Sequence, residues 1–102
     1  MNKQISDYDR RQYALMVEKL DEFRKDNIPL GRLISDLNAL LSVLENPDGN
    51  WKIMFRKQWS ILERINAVAA FRANNVISPE SSNRIAEAVK IMEDIIDDRL
   101  KY

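Results

Sequence analysis

Leu30-Gly31-Arg32-Leu33-Ile34-Ser35-Asp36-Leu37-Asn38-Ala39-Leu40-Leu41-Ser42-Val43-Leu44 sets leucine or isoleucine at 30, 33, 34, 37, 40, 41 and 44. That is the i, i+3, i+4, i+7 pattern of one helical face, sustained over the whole segment. The segment is bounded on both sides. Ile28-Pro29 precedes it, and proline suits a first helical position while turning its predecessor away from helical geometry. Asn46-Pro47-Asp48-Gly49-Asn50 follows it, and such a cluster is a loop signal from which Asp48 or Asn50 can cap the next helix.

Working outward, the same periodicity returns three times. Tyr13, Met16, Val17, Leu20 and Phe23 predict an amphipathic helix from Asp7 to Asp26. Trp51, Phe55, Trp59, Leu62, Ile65 and Ala69 share one arc, with Met54 beside them, on a helix from Trp51 to Arg72. Both tryptophans are therefore expected in the core. After a break at Ala73-Asn74-Asn75-Val76-Ile77, Ser78-Pro79-Glu80 provides a cap, a first-turn proline and a first-turn acid. A fourth helix follows, carrying Ile85, Ala88, Val89, Met92, Ile95 and Ile96. Links of about three to six residues favour antiparallel neighbours. The expected fold is all-α, an up-down antiparallel bundle of about four helices, with residues 1–102 as a single helical domain.

Composition narrows the chemistry. Histidine, cysteine and threonine are absent among the 102 residues. Without histidine, general acid–base work would need a strongly shifted carboxylate or lysine, and the Glu-x-x-His pattern of di-iron bundles is closed. Without cysteine there is neither a disulfide framework nor a thiolate metal site. No glycine-rich phosphate loop occurs, and no serine has a base at motif spacing. The expectation is a protein that is not an enzyme, with no catalytic, metal or cofactor residues. Lysine plus arginine equals aspartate plus glutamate at 16 each, so no overall field draws it to nucleic acid or membrane. No uncharged apolar run approaches the roughly 18 residues that span a bilayer, and Met1–Asp7 has no apolar leader core, so a cytoplasmic location is expected.

Charge is nonetheless patterned. Glu93, Asp94, Asp97 and Asp98 crowd the end of the fourth helix, where the helix dipole favours cations. They read either as a solvated face, balanced by Lys90 with Asp94 and Asp97 with Lys101, or as an anionic patch for a basic partner, joined by Asp21, Glu22 and Asp26. The third helix is basic, with Lys52, Arg56, Lys57, Arg64 and Arg72 against the single acid Glu63. These bases either pair with helices one and four or face a partner; nucleic acid is one candidate, but aromatic residues occupy the buried arc and the preceding link is long for a helix-turn-helix. On this helix Ile53, Ile61, Val68 and Phe71 lie off the main arc, which suits either packing on two neighbours or an apolar interface rimmed by charge.

Two resemblances bear on function. Magnesium-dependent nucleotide hydrolases of the MazG type use two acids, a gap and a third acid on one helix; here Asp21-Glu22 is followed by Lys25 at the third place, so the set is incomplete. The second is fuller. Leu33-Ile34-x-Asp36-Leu37-x-x-Leu40-Leu41-x-x-Leu44, a polar loop, then Trp51, Phe55-Arg56, Trp59, Leu62-Glu63 and Ala67 resemble the small helical immunity proteins associated with contact-dependent growth inhibition and related polymorphic toxins. The likeness spans residues 28–70 and departs from the family where Gly49-Asn50 stand in place of acids before the tryptophan. It implies a bacterial cytosolic protein that binds a cognate toxin domain, often a nuclease, and covers its active or substrate-binding surface. Neither a small-molecule substrate nor direct contact with nucleic acid or membrane is implied. For a basic nuclease surface the natural docking residues are Asp94, Asp97 and Asp98, then Glu93, Asp21, Glu22 and Asp26. A helical adaptor, a nucleic-acid binder and the nucleotide hydrolase are the alternatives.

Overall fold

The computed structural model describes residues 5–72 and 76–101. Four helices are formed: α1 (Asp7–Arg24), α2 (Leu30–Ser42), α3 (Gly49–Phe71) and α4 (Pro79–Leu100). Their limits follow from local chemistry. Ser6 caps α1, its hydroxyl accepting from the Asp9 N–H at 3.0 Å, and Ser78 caps α4 through the Ser81 N–H at 3.1 Å. Pro79 occupies the first turn of α4, as expected.

α1 stops two residues before Asp26. Asp26 adopts a left-handed backbone, φ 62°, and the Asp26 and Asn27 N–H groups turn back to the Phe23 and Glu22 carbonyls at 3.0 and 2.9 Å. This is a Schellman closure with aspartate in the place usually given to glycine. α2 ends at Ser42, not Leu44, although Leu44 remains buried beyond the helix. α3 begins at Gly49, ahead of Trp51, and Asp48 holds the cap position without a side-chain hydrogen bond. Of the expected break after α3, residues 73–75 lie outside the described part.

Each helix packs on its chain neighbours, and α4 returns against α1, closing a four-membered ring. Cross-links fix the antiparallel sense. The Trp51 indole N–H donates to the Ile95 carbonyl at 2.8 Å, Arg10 donates to the Leu100 carbonyl at 3.0 Å, and the Trp59 indole N–H reaches the Ile34 carbonyl at 2.9 Å. The all-α bundle is thus the fold. Its core holds the residues of the quoted stretch, Leu33, Ile34, Leu37 and Leu41, against Met16, Leu20 and Met92. At one end Tyr13 meets Trp51 edge-on with ring centres 5.1 Å apart, and Trp51 stacks on Phe55 at 5.1 Å. Trp59 is only half-buried, at the edge of the core, with Arg56 over its ring at 5.4 Å.

α3 and α4 have 23 and 22 residues against 18 and 13 for α1 and α2. Gly31, at the start of α2, lies level with Asn66, so the last turn of α3 projects past the α1–α2 hairpin. The step leaves an open groove of about 660 Å³ lined by Phe23, Ile28, Leu30, Ile77, Ile85 and Val89.

Candidate functional site

The structure sorts the seven candidate acids by environment. Asp94, Asp97 and Asp98 are exposed and line one shallow depression of about 450 Å³ at the end of α4, with Leu100 and Lys101. Lys90 binds both oxygens of Asp94 at 2.9 and 3.1 Å, as the spacing predicts. Lys101 pairs with Asp98 at 3.9 Å, an i, i+3 contact, instead of with Asp97; among the described residues Asp97 has no ion pair. Glu93 turns toward α1 and meets Arg24 at 2.7 Å. It tethers two helices.

The α1 acids lie elsewhere. Asp21 holds Lys25 at 3.0 Å, raising the lysine pKa above its usual value, and Glu22 accepts from the Asn27 amide at 3.3 Å. Asp26 flanks the apolar groove. α1 runs antiparallel to α4, with Arg10 at the Leu100 end, so Asp21, Glu22 and Asp26 sit at the far end of α1 from the Asp97–Asp98 turn. The two acidic groups do not share one depression.

Of the two readings of the α3 bases, pairing with α1 and α4 is not what the structure shows. Among the described residues no α3 base forms an ion pair; Arg56 donates to Asn38 on α2 at 3.0 Å. The reason is geometric: Lys57 and Arg64 lie away from the buried arc and point outward, while Asp21, Glu93, Asp94 and Asp98 meet bases of α1, α4 or the residue after each, and Asp36 of α2 meets Lys19 and Arg32. The off-arc apolar residues divide. α3 packs on both α2 and α4, and Ile61 is half-buried, but Ile53, Val68 and Phe71 remain 69, 48 and 92% exposed. Phe71 is the most exposed large apolar side chain described. Arg64, Arg72 and Arg84 gather around a small depression of about 130 Å³ with Ile61 and Val68.

Two polar residues important to the fold carry no sequence signal. Asp9, 1% exposed, accepts from the Glu45 and Asn46 N–H groups at 2.8 and 3.0 Å and anchors the α2–α3 link to α1. Arg99 lies over the Tyr13 ring, its guanidinium carbon 5.7 Å from the centre. Burial raises the Tyr13 pKa above its ordinary value against the opposing pull of that guanidinium. Among the described residues no group of three or more acids is placed to hold a metal ion, and no helix is long and apolar enough to cross a membrane.

The residues of the sequence resemblance are largely structural. Leu33, Ile34, Leu37, Leu41, Leu44, Trp51, Phe55 and Leu62 are buried, and Asp36 is paired with Arg32 and Lys19. Comparison with family models, curated proteins and solved structures found no match.

Proposed function

We propose that this protein binds and neutralises a bacterial toxin domain of the nuclease type by covering its active or substrate-binding surface. The observation that carries this reading is the set of exposed carboxylates of Asp94, Asp97 and Asp98 around one depression at the C-terminal end of α4. They stand where the helix dipole disfavours anions, and none of the three is engaged by another helix through a described ion pair or side-chain hydrogen bond. A basic, phosphate-holding surface is the complement such a group would recognise, and long-range attraction would speed encounter. The sequence likeness to immunity proteins supports the class of partner. Because its residues are mostly core, it speaks for the scaffold and leaves contact to the exterior.

The test is co-purification with a nuclease toxin domain, sought first in neighbouring reading frames, followed by charge reversal at Asp94, Asp97 and Asp98. Loss of complex and of protection in a folded variant is expected. Unchanged binding and protection would remove this face from consideration. The nucleic-acid reading rests on Arg64, Arg72 and Arg84, none of which forms an ion pair among the described residues; DNA retention that falls steeply with salt and disappears in Arg64→Glu/Arg84→Glu would favour it instead.

A further inference from the structure

The outer face of the α3–α4 hairpin carries two adjoining stripes. On α3, Met54, Lys57, Ile61, Arg64, Val68 and Phe71 recur at alternating intervals of three and four residues, so they share one side of the helix. On α4, Arg84, Glu87, Ile91, Asp94 and Asp98 do the same. Ile61, Arg64, Val68 and Arg84 line one depression, which sets the stripes side by side at one end, and the Trp51–Ile95 hydrogen bond fixes their level at the other. Between the ends lie Met54, 47% exposed, and the half-buried Ile61 and Ile91, with one charge of each sign among them, Lys57 on α3 and Glu87 on α4.

The two ends have opposite charge. Arg64, Arg72 and Arg84 occupy the end at the α3–α4 link, and among the described residues none of them makes an ion pair. Asp94 and Asp98 occupy the other end. Glu80 and Lys101 place one opposite charge at each end, and Lys90 holds Asp94 through an exposed i, i+4 pair of the kind worth a few tenths of a kcal/mol. Such pairs exchange readily.

We infer that this face binds a second copy of the chain. A two-fold axis lying in the contact plane and perpendicular to the helices runs the two hairpins antiparallel, centre on centre and acidic end on arginine end. The alternative axis, along the helices, sets acid on acid and arginine on arginine. Opposite charge therefore selects the register as well as the partner. A formal net charge of zero leaves no overall repulsion against self-association. The stripes run ~25 Å along two helices together ~20 Å wide, a footprint of ~500 Å² per copy. Two such footprints reach the lower bound of specific interfaces, about 1,000 Å², so the dimer forms and dissociates with concentration. Asp97 lies about 100° around the helix from Asp98, so it falls beside the stripe and stays outside the pairing.

Sedimentation velocity of the full chain at low salt, across a wide concentration range and without any toxin, tests this. The mass is expected to rise from 12.0 kDa toward twice that value and to fall back at high salt. Arg64→Glu/Arg84→Glu and Asp94→Arg/Asp98→Arg, all at exposed sites, are each expected to stay monomeric with unchanged helicity by circular dichroism. Mixing the two variants is expected to restore dimer, because each then offers the charge the other lacks. A wild-type monomer at every concentration, which would leave the face to another protein, overturns the proposal. So does a charge-reversed variant that dimerises as well as wild type, or a mixture that fails to rescue.

Discussion

The indole N–H of Trp51, in the first turn of α3, donates to the main-chain carbonyl of Ile95 in the last turns of α4 at 2.8 Å. The tryptophan is 5% exposed and is gripped by Tyr13 on one side and Phe55 on the other. Its ring thus joins α1, α3 and α4 at one end of the bundle. Trp51→Phe keeps an aromatic contact but deletes the donor and part of the ring volume. The expected loss is about 2–3 kcal/mol, the sum of a buried hydrogen bond and a partly filled void, read from urea unfolding.

Asp9 does comparable work through backbone. Its carboxylate receives two N–H groups from the α2–α3 link, which would otherwise lie partly buried and unpaired. Asp9→Ala should cost about 3 kcal/mol, since bonds to a charged acceptor are stronger than neutral ones and two donors are orphaned. Asp9→Asn, with one acceptor oxygen left, should cost roughly half as much. Equal losses in the two variants would assign the effect to helix charge instead.

Asp9 also marks where sequence reading stops. An aspartate in a first helical turn is already explained by the helix dipole, and its partners are main-chain groups 36 and 37 residues away, with no side-chain signature. The helices themselves were legible because Leu33, Leu37, Leu41, Phe55 and Leu62 obey one period and Pro29, Ser78 and Pro79 punctuate it. Boundaries failed where backbone geometry decided them, as at Asp26. The charged candidates were legible as residues but not as surfaces. Spacing suggested that Lys101 would serve Asp97, while Asp98 at i, i+3 is equally within reach. Charge left the α3 bases either to meet the acids of α1 and α4 or to face a partner, and only the packed bundle turns Lys57 and Arg64 outward. Phe71 and Ile53 were recognised as off the core arc, and only the packed bundle separates them from the half-buried Ile61.

Asp26 gives a direct measure of local strain. A non-glycine residue at φ 62° closes α1, and its negative charge faces the helix C-terminus. Asp26→Gly should stabilise the fold by about 0.5–1 kcal/mol, the relief of the left-handed backbone offset in part by the greater freedom of glycine in the unfolded chain. If Asp26 also contacts a toxin, the same variant binds it more weakly, and thermal unfolding and affinity move in opposite directions.

Tyr13 makes stability depend on alkaline pH. Burial raises its folded-state pKa above the unfolded value of about 10. Below pH ~10 the phenol is neutral in both states and its contribution is fully present. As pH rises past that point the unfolded chain releases the proton first, so unfolding becomes easier until the folded phenol ionises as well. Tyr13→Phe retains the ring beneath Arg99 and removes the buried hydroxyl, which lacks a hydrogen-bond partner of normal geometry. Its stability should therefore decline less between pH 9.5 and 11 than that of wild type. Parallel curves would show that other groups govern the alkaline limb.

Asp97 separates the demands of the fold from those of binding. It lies in the last turn of α4, is exposed, and has no ion pair among the described residues, so its charge meets the unfavourable end of the helix dipole without local compensation. Asp97→Asn keeps the shape and removes the charge. It should stabilise the protein by about 0.3–1 kcal/mol and raise the unfolding midpoint by roughly 2 to 5 °C. A residue present only as solvated surface would show that gain and nothing else. If Asp97 serves toxin recognition, the gain comes with weaker complex formation and a slower association rate, the slowing most evident at low salt where steering is strongest. Because Asp97 lies outside the proposed self-association face, sedimentation of the variant should match wild type. A more stable protein with unaltered toxin affinity would place the binding surface away from the end of α4.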